Sequence, residues 1–157
     1  MNTSCLIVVG VDGSEGGRRA LDWAAIEAAA RGCAVQAVIA WSWDGIEYGP
    51  IAATSPRDAE DQARRMLDRE IVALTERRGS AFPVAAEVIE GRPADVLAAA
   101  GSAGDLLVLG SHGHSRVRHT VLGSVSEECI RKAVCPVVVI PVPVGERRHS
   151  TEPAVRS

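Results

Sequence analysis

Lysine is nearly absent: Lys132 stands alone beside sixteen arginines, so a lysine phosphate hook or Schiff base has one candidate. Aromatic residues are 3% of the chain, too few for the stacking platforms that grip single-stranded nucleic acid. Excess charge is also missing, since 17 Lys and Arg face 20 Asp and Glu for a net charge of −3. Such a balance gives no whole-protein field for nucleic acid or anionic lipid, and any anion site must be local. No long hydrophobic run exists either. The apolar stretch Val134 to Val144 spans eleven residues with three prolines and is too short to cross a bilayer. Met1 to Val9 lacks the basic start and cleavage site of a signal peptide, so a cytoplasmic location is expected. Cys5, Cys33, Cys129 and Cys135 form no CxxC pair and no zinc-like spacing. In a non-secreted chain they are expected to stay reduced, as small buried hydrophobes.

What is present suits one globular domain of 157 residues, large enough to close a core without staples. Leu6 to Val11 is a β-branched run ended by Asp12, Gly13 and Ser14, and from Arg18 apolar residues recur at helical spacing until Gly32. The unit repeats with Ala34 to Trp41 as a second strand. Ser55, Pro56 and Asp58 then announce a helix in N-cap, N1 and N3 order, running to about Arg78 ahead of Gly79. Pro83 to Ile89 reads as a third strand, Pro93 to Ala100 as a third helix, and Asp105 to Leu109 as a fourth strand. Ser124 to Ala133 reads as a fourth helix and Val137 to Ile140 as a fifth strand. Alternating strands and helices imply right-handed crossovers and a doubly wound α/β parallel sheet with helices on both faces. Residues 1–143 are expected to form this domain. The polar stretch 144–157 is expected to be a disordered tail.

One connection is too long for such a sheet. Fourteen residues, Gly110 to Gly123, separate the fourth strand from the fourth helix, where two to six are usual. The segment GSHGHSRVRHTVLG brings glycines at Gly110, Gly113 and Gly123, where backbone can approach a ligand closely. It also gathers Arg116, Arg118, His112, His114 and His119, and it delivers Ser124, Val125 and Ser126 to a helix N-terminus, whose free NH groups favour an anion. This describes a phosphate cradle. Ser124 followed by Glu127 is also a capping box that would only start the helix.

Other phosphate motifs fail. No GxxxxGK[ST] occurs, GVDGSEGG does not satisfy GxGxxG, and SHGHS is not the HxGH of nucleotidyltransferases. A metal site from His112, His114 and His119 would lack any Cys or carboxylate within the loop, so these side chains are expected to face solvent or phosphate. Topology adds a second segment, because ligands of doubly wound sheets bind outside the carboxyl ends of the strands where the strand order reverses. With an order of 3-2-1-4-5, Asp12 and Gly110 flank that crevice. A carboxylate there suits ribose hydroxyls or an adenine amine; alternatively, Asp12 merely forms an Asx turn before the first helix.

Gly110, Gly113, Gly123 and Ser124 together match GxxGx9G[ST], and the chain thereby resembles the nucleotide-binding branch of the universal stress protein family. VDGS from Val11, GSHG, LGSVSE and CPVVVIP extend the likeness over Cys5 to Pro141. The resemblance implies a five-stranded parallel sheet of order 3-2-1-4-5, ATP or another adenine nucleotide in the crevice, and a homodimer joined through the fifth strand, about Pro136 to Pro141. It also implies that Val11 and Asp12 hold adenine and ribose, and that Ala40, ending the second strand, meets adenine through its backbone. Leu109, Gly110, Gly113, Gly123, Ser124, Val125 and Ser126 would surround ribose and phosphates.

The dimer has a physical motive as well, since an apolar edge strand invites pairing, with Pro141 and Pro143 limiting its extent. The function expected is a nucleotide-sensing regulatory protein of a stress response. The alternative is a slow ATPase or phosphotransferase using the same cradle, for which no general base with a positioning partner is evident. Whether Mg²⁺ accompanies the nucleotide is not legible in these residues. The segment Asp44 to Thr54 is a second long connection, a lid or a surface loop.

Overall fold

The computed structural model describes residues 5–43, 55–80, 82–114 and 122–143. The segment Asp44 to Thr54, the loop residues Arg116, Arg118 and His119, and the expected tail from 144 lie outside the described residues.

Among the described residues five strands and four helices alternate: β1 (Leu6–Gly10), α1 (Glu15–Arg31), β2 (Ala34–Trp41), α2 (Pro56–Arg78), β3 (Val84–Glu90), α3 (Pro93–Ser102), β4 (Leu106–Gly110), α4 (Ser124–Lys132) and β5 (Val137–Ile140). Every strand pairing is parallel and the order is β3-β2-β1-β4-β5, as expected. The central strands β1 and β4 are covered on both sides, which explains why LIVV and LLVL read as continuous apolar runs. On one face, Ile7, Val9, Val35, Ala37, Ile39 and Val108 pack under Leu21, Ala24 and Ala28 of α1 and Leu67 and Leu74 of α2. On the other, Val8, Val38, Leu107 and Leu109 pack under Ala94, Val96 and Leu97 of α3 and Cys129 of α4.

Local signals set the helix limits. The α2 helix starts as expected, with Ser55 Oγ accepting from Asp58 N at 3.0 Å and Pro56 in the first turn, and it ends at Gly79. Helix α1 begins earlier than the apolar periodicity suggests, because Ser14 caps it from before Glu15, and Gly32 closes it at φ 75°, a left-handed conformation suited to glycine.

The cysteine expectation is corrected. Cys5 and Cys33 form a disulfide with their Cα atoms 4.6 Å apart. The cause is register: Leu6 pairs with Ala34 at the start of two neighbouring parallel strands, so the residues just before them meet. Cys129 and Cys135 are free thiols, Cys129 fully buried with its pKa pushed up to about 11 by desolvation, and Cys135 partly exposed.

Candidate functional site

Two strand ends and two helix starts meet at the carboxyl edge of β1 and β4. After Gly10 the chain turns sharply at Gly13, φ +82°, into α1. Asp12 Oδ1 accepts from Ser14 N at 3.0 Å and from Ser14 Oγ at 2.5 Å, and Ser14 Oγ in turn accepts from Gly17 N at 3.2 Å. The Asx-turn reading of Asp12 therefore holds. Oδ1 makes the Asx turn, while Oδ2 points at Gly113, where an added Cβ would lie 2.6 Å from it.

Gly16 and Gly17 contribute what no simple motif indicated. A Cβ on Gly16 would sit 2.1 Å from His112 O, and one on Gly110 would sit 2.6 Å from the Gly16 carbonyl carbon. The start of α1 thus lies directly on the backbone leaving β4. Gly110 serves this close approach of two chain segments, whereas the empty side of Gly113 faces the free oxygen of Asp12.

The first part of the long loop is held firmly. Ser111 N donates to Ile140 O at 2.8 Å, and Ser111 Oγ accepts from Val142 N at 2.9 Å. His112 is buried at 7% exposure, with Nδ1 3.2 Å from Ser111 Oγ, so it does not face solvent. His114 is exposed, yet its Nε2 lies 2.6 Å from Asp12 O; a carbonyl only accepts, so the ring nitrogen donates. His119 lies outside the described residues. Among the described residues no group of three or more His, Cys, Asp or Glu is arranged to hold a metal ion.

At α4 the capping-box expectation is corrected. Gly123 is the N-cap, with no side-chain hydrogen bond to the first turn, and its own N–H donates to Ser111 O at 2.6 Å. Ser124 therefore occupies the first helical position, exposed, beside an exposed Val125. Ser126 is buried, and its hydroxyl donates to Gly110 O at 2.7 Å, tying the helix to the end of β4. Its side chain is committed to the fold, which leaves its backbone N–H to serve any anion at the helix start. Glu127 N bonds back to Gly123 O at 3.0 Å, the first bond of the helix.

The remaining expected residues fall around this crevice. Val11 is buried, and its N–H donates to Val38 O at 2.9 Å, while the Trp41 carbonyl turns the other way to accept from Gly91 N at 2.8 Å. Because these directions alternate along a strand, Ala40 turns its amide and carbonyl to the β1 side, one step beyond that last bond. β2 itself runs to Trp41, the expected end of the strand. Leu109 is buried beneath α3 and offers no polar side-chain group.

The family model described as the universal stress protein family matches residues 6–141. The chain belongs to that family. A universal stress protein of Thermus aquaticus is 32% identical over 137 residues, covering 85% of this chain and 96% of the relative. Another, from Mycobacterium tuberculosis, is 33% identical over 144 residues, covering 87% of this chain and 44% of the relative. The chain spans about half the length of the mycobacterial relatives it matches. Among solved structures, a universal stress protein in complex with cAMP superposes with a TM-score of 0.65 at 25% identity, covering 89% of this chain and 98% of that one. A universal stress protein family member from Burkholderia pseudomallei superposes with a TM-score of 0.61 at 28% identity, covering 87% and 96%.

Proposed function

We propose that this universal stress protein binds an adenine nucleotide, ATP in the first instance, in the crevice between the Val11–Ser14 turn and the start of α4, and that occupancy is the signal it carries. The observation that supports this most is the pairing of an uncapped helix start with an unused carboxylate oxygen. The first NH groups of α4 have no side-chain cap, as a phosphate requires. Asp12 Oδ2, beside the Cβ-free Gly113, is placed to accept from ribose hydroxyls. Ala40 offers one amide and one carbonyl, a donor and acceptor pair suited to an adenine edge. The cAMP complex of a relative supports the same ligand class.

These residues fit the nucleotide without any lysine. Val11 and Ala40 orient the base, Asp12 the sugar, and the backbone from Gly123 to Ser126 the phosphates, with Gly110 keeping α1 and β4 in contact beneath. A site built from backbone NH groups holds a phosphate but supplies no proton acceptor, which suits a binding and sensing role. Homodimerisation through β5 belongs to the same reading. β5 is the sheet edge, its four residues are only half-buried, and Val134 just before it is 80% exposed. An edge of this kind gains by pairing across a twofold axis.

A thermal-shift series with ATP, ADP, AMP and GTP tests the reading. Adenine nucleotides at a hundredfold excess over Kd should stabilise the fold by about 2–3 kcal/mol. No stabilisation by any of them, together with no adenine nucleotide in mass spectra of the purified protein, would rule it out. Sedimentation with and without ATP tests the dimer, and a monomer in both conditions would remove that part.

A further inference from the structure

The Val11–Ser14 turn is fastened at two consecutive carbonyls. His114 Nε2 donates to Asp12 O at 2.6 Å from the β4 loop. Arg18 Nη2, from α1, donates to Gly13 O at 3.2 Å. The same guanidinium is gripped by a residue far along the chain, Nε to Glu70 Oε1 at 3.2 Å and Nη2 to Glu70 Oε2 at 3.4 Å. Glu70 is unusual in its place. The buried residues of α2 are Ala63, Leu67, Glu70 and Leu74, so a carboxylate, only 9% exposed, interrupts an apolar stripe. Buried carboxylates cost desolvation, and a pair of this kind is weak evidence for stability as such. One turn earlier on α2, Met66 lies against the turn itself: a Cβ on Gly13 would meet Met66 Sδ at 2.5 Å. Helix α2 thus shapes the nucleotide-facing turn twice, by contact at Met66 and by charge at Glu70.

We propose that Glu70, acting through Arg18, is a positioning residue for Asp12: the pair fixes the Gly13 carbonyl and thereby aims Asp12 Oδ2 at the ribose hydroxyls. The proposal rests on the nucleotide-binding reading and deepens it. Neither Arg18 nor Glu70 needs to touch the ligand. With Glu70 replaced by glutamine, Arg18 loses its charged anchor, the turn can rotate about Gly13, and the ribose acceptor goes out of place while the phosphate-binding start of α4 is untouched.

The test is calorimetric binding of ATP and of 2′,3′-dideoxy-ATP, which lacks the hydroxyls, to the full chain and its variants, with the melting temperature measured alongside. Glu70→Gln should weaken ATP roughly tenfold and the dideoxy analogue less than about twofold, and it should add little further loss in an Asp12→Asn background, because the two act as a unit. Arg18→Lys serves as the second variant. Its side chain is 42% exposed, so the core is unaffected, and an ammonium keeps the charge but not the fork that reaches Gly13 O and both Glu70 oxygens. Equal weakening of both ligands, or a lower melting temperature with the ATP to dideoxy ratio unchanged, would overturn the proposal and leave Glu70 a structural residue. Wild-type protein that binds neither nucleotide would overturn the nucleotide reading and this proposal with it.

Discussion

Helices α1 and α4 begin side by side at the carboxyl edge of the sheet, and their starts are built in opposite ways. At α1 the Ser14 hydroxyl accepts from Gly17 N, and Asp12 braces that serine, so the helix satisfies itself from within. At α4 the N-cap is Gly123, no side chain caps the first turn, and both Ser124 and Val125 are exposed. A helix start attracts anions only where its NH groups are unclaimed. Two glycine-containing turns on adjacent strands therefore divide the labour. The β1 turn is closed and presents a carboxylate oxygen, while the β4 turn ends in an open set of donors, so the nucleotide proposed above would find separate places for its sugar and its phosphates.

The contact that holds the two starts in register is the most sensitive point of the comparison. Gly16 packs on the backbone at His112, and a methyl group there would lie 2.1 Å from His112 O, too close for any rotamer change to relieve. Gly16→Ala should cost about 3 kcal/mol in urea unfolding, at the upper end of overpacking penalties. A loss below about 0.5 kcal/mol would mean that α1 and the β4 loop are not fastened together in solution.

Giving α4 the kind of cap that α1 has should break the division itself. Gly123→Asp supplies a capping carboxylate, and its Cβ meets Ser111 O at 3.3 Å, a tight but tolerable contact. Stability should change by less than about 0.5 kcal/mol, yet ATP binding should be lost, since the new side chain claims the NH groups and repels phosphate. Ser14→Ala is the reciprocal change and should lower stability by about 1 kcal/mol. A Gly123→Asp protein that still shifts its melting point with ATP would show that phosphate is held elsewhere.

Much of this arrangement is legible in the sequence where the cause is local. Ser55, Pro56 and Gly79 bound α2 through their own backbone preferences, and the limits of β2 and of the β-branched run β5 match the structure. Strands β1, β3 and β4 differ from expectation by one residue, because strand limits depend on the neighbour each one pairs with. The Cys5–Cys33 disulfide and the Gly16 contact depend on register between distant segments, which no spacing rule encodes. Ser124 followed by Glu127 fits a capping box in sequence, but the bond from Gly123 N to Ser111 O shifts the cap to the glycine. Glu70 left a signal that could have been followed. A charged residue in the Ala63, Leu67, Leu74 stripe needs a partner, and Arg18 is that partner across 52 positions.

The smallest effect concerns how each helix is seated. α1 is fixed by Arg18 on the buried Glu70, whereas α4 is fixed to α3 by exposed ion pairs, Arg92 at the α3 N-cap with Glu128 at 3.2 Å and Lys132 with Asp95, while Lys132 also pairs with Glu128 within α4 at 3.0 Å. Hydrogen bonds from Lys132, then from Arg92, hold the Asp95 and Glu128 carboxyls below their ordinary values. Their folded pKa values lie under the unfolded ones, so the unfolded chain binds more protons in acid. The stabilisation is complete above the ordinary carboxylate pKa, near about 4, and disappears as pH falls through the lowered folded values. Lys132→Met removes the partner whose hydrogen bond lowers both carboxyls most. Melting temperatures at pH 7 and pH 3 should therefore fall less on acidification in the variant than in the wild type, by a margin that shrinks in high salt because these groups are exposed. Equal acid losses in the two proteins would mean that the α3–α4 pairs do not seat α4, and that the open helix start is held in place by the Ser126 bond to Gly110 and by core packing at Cys129.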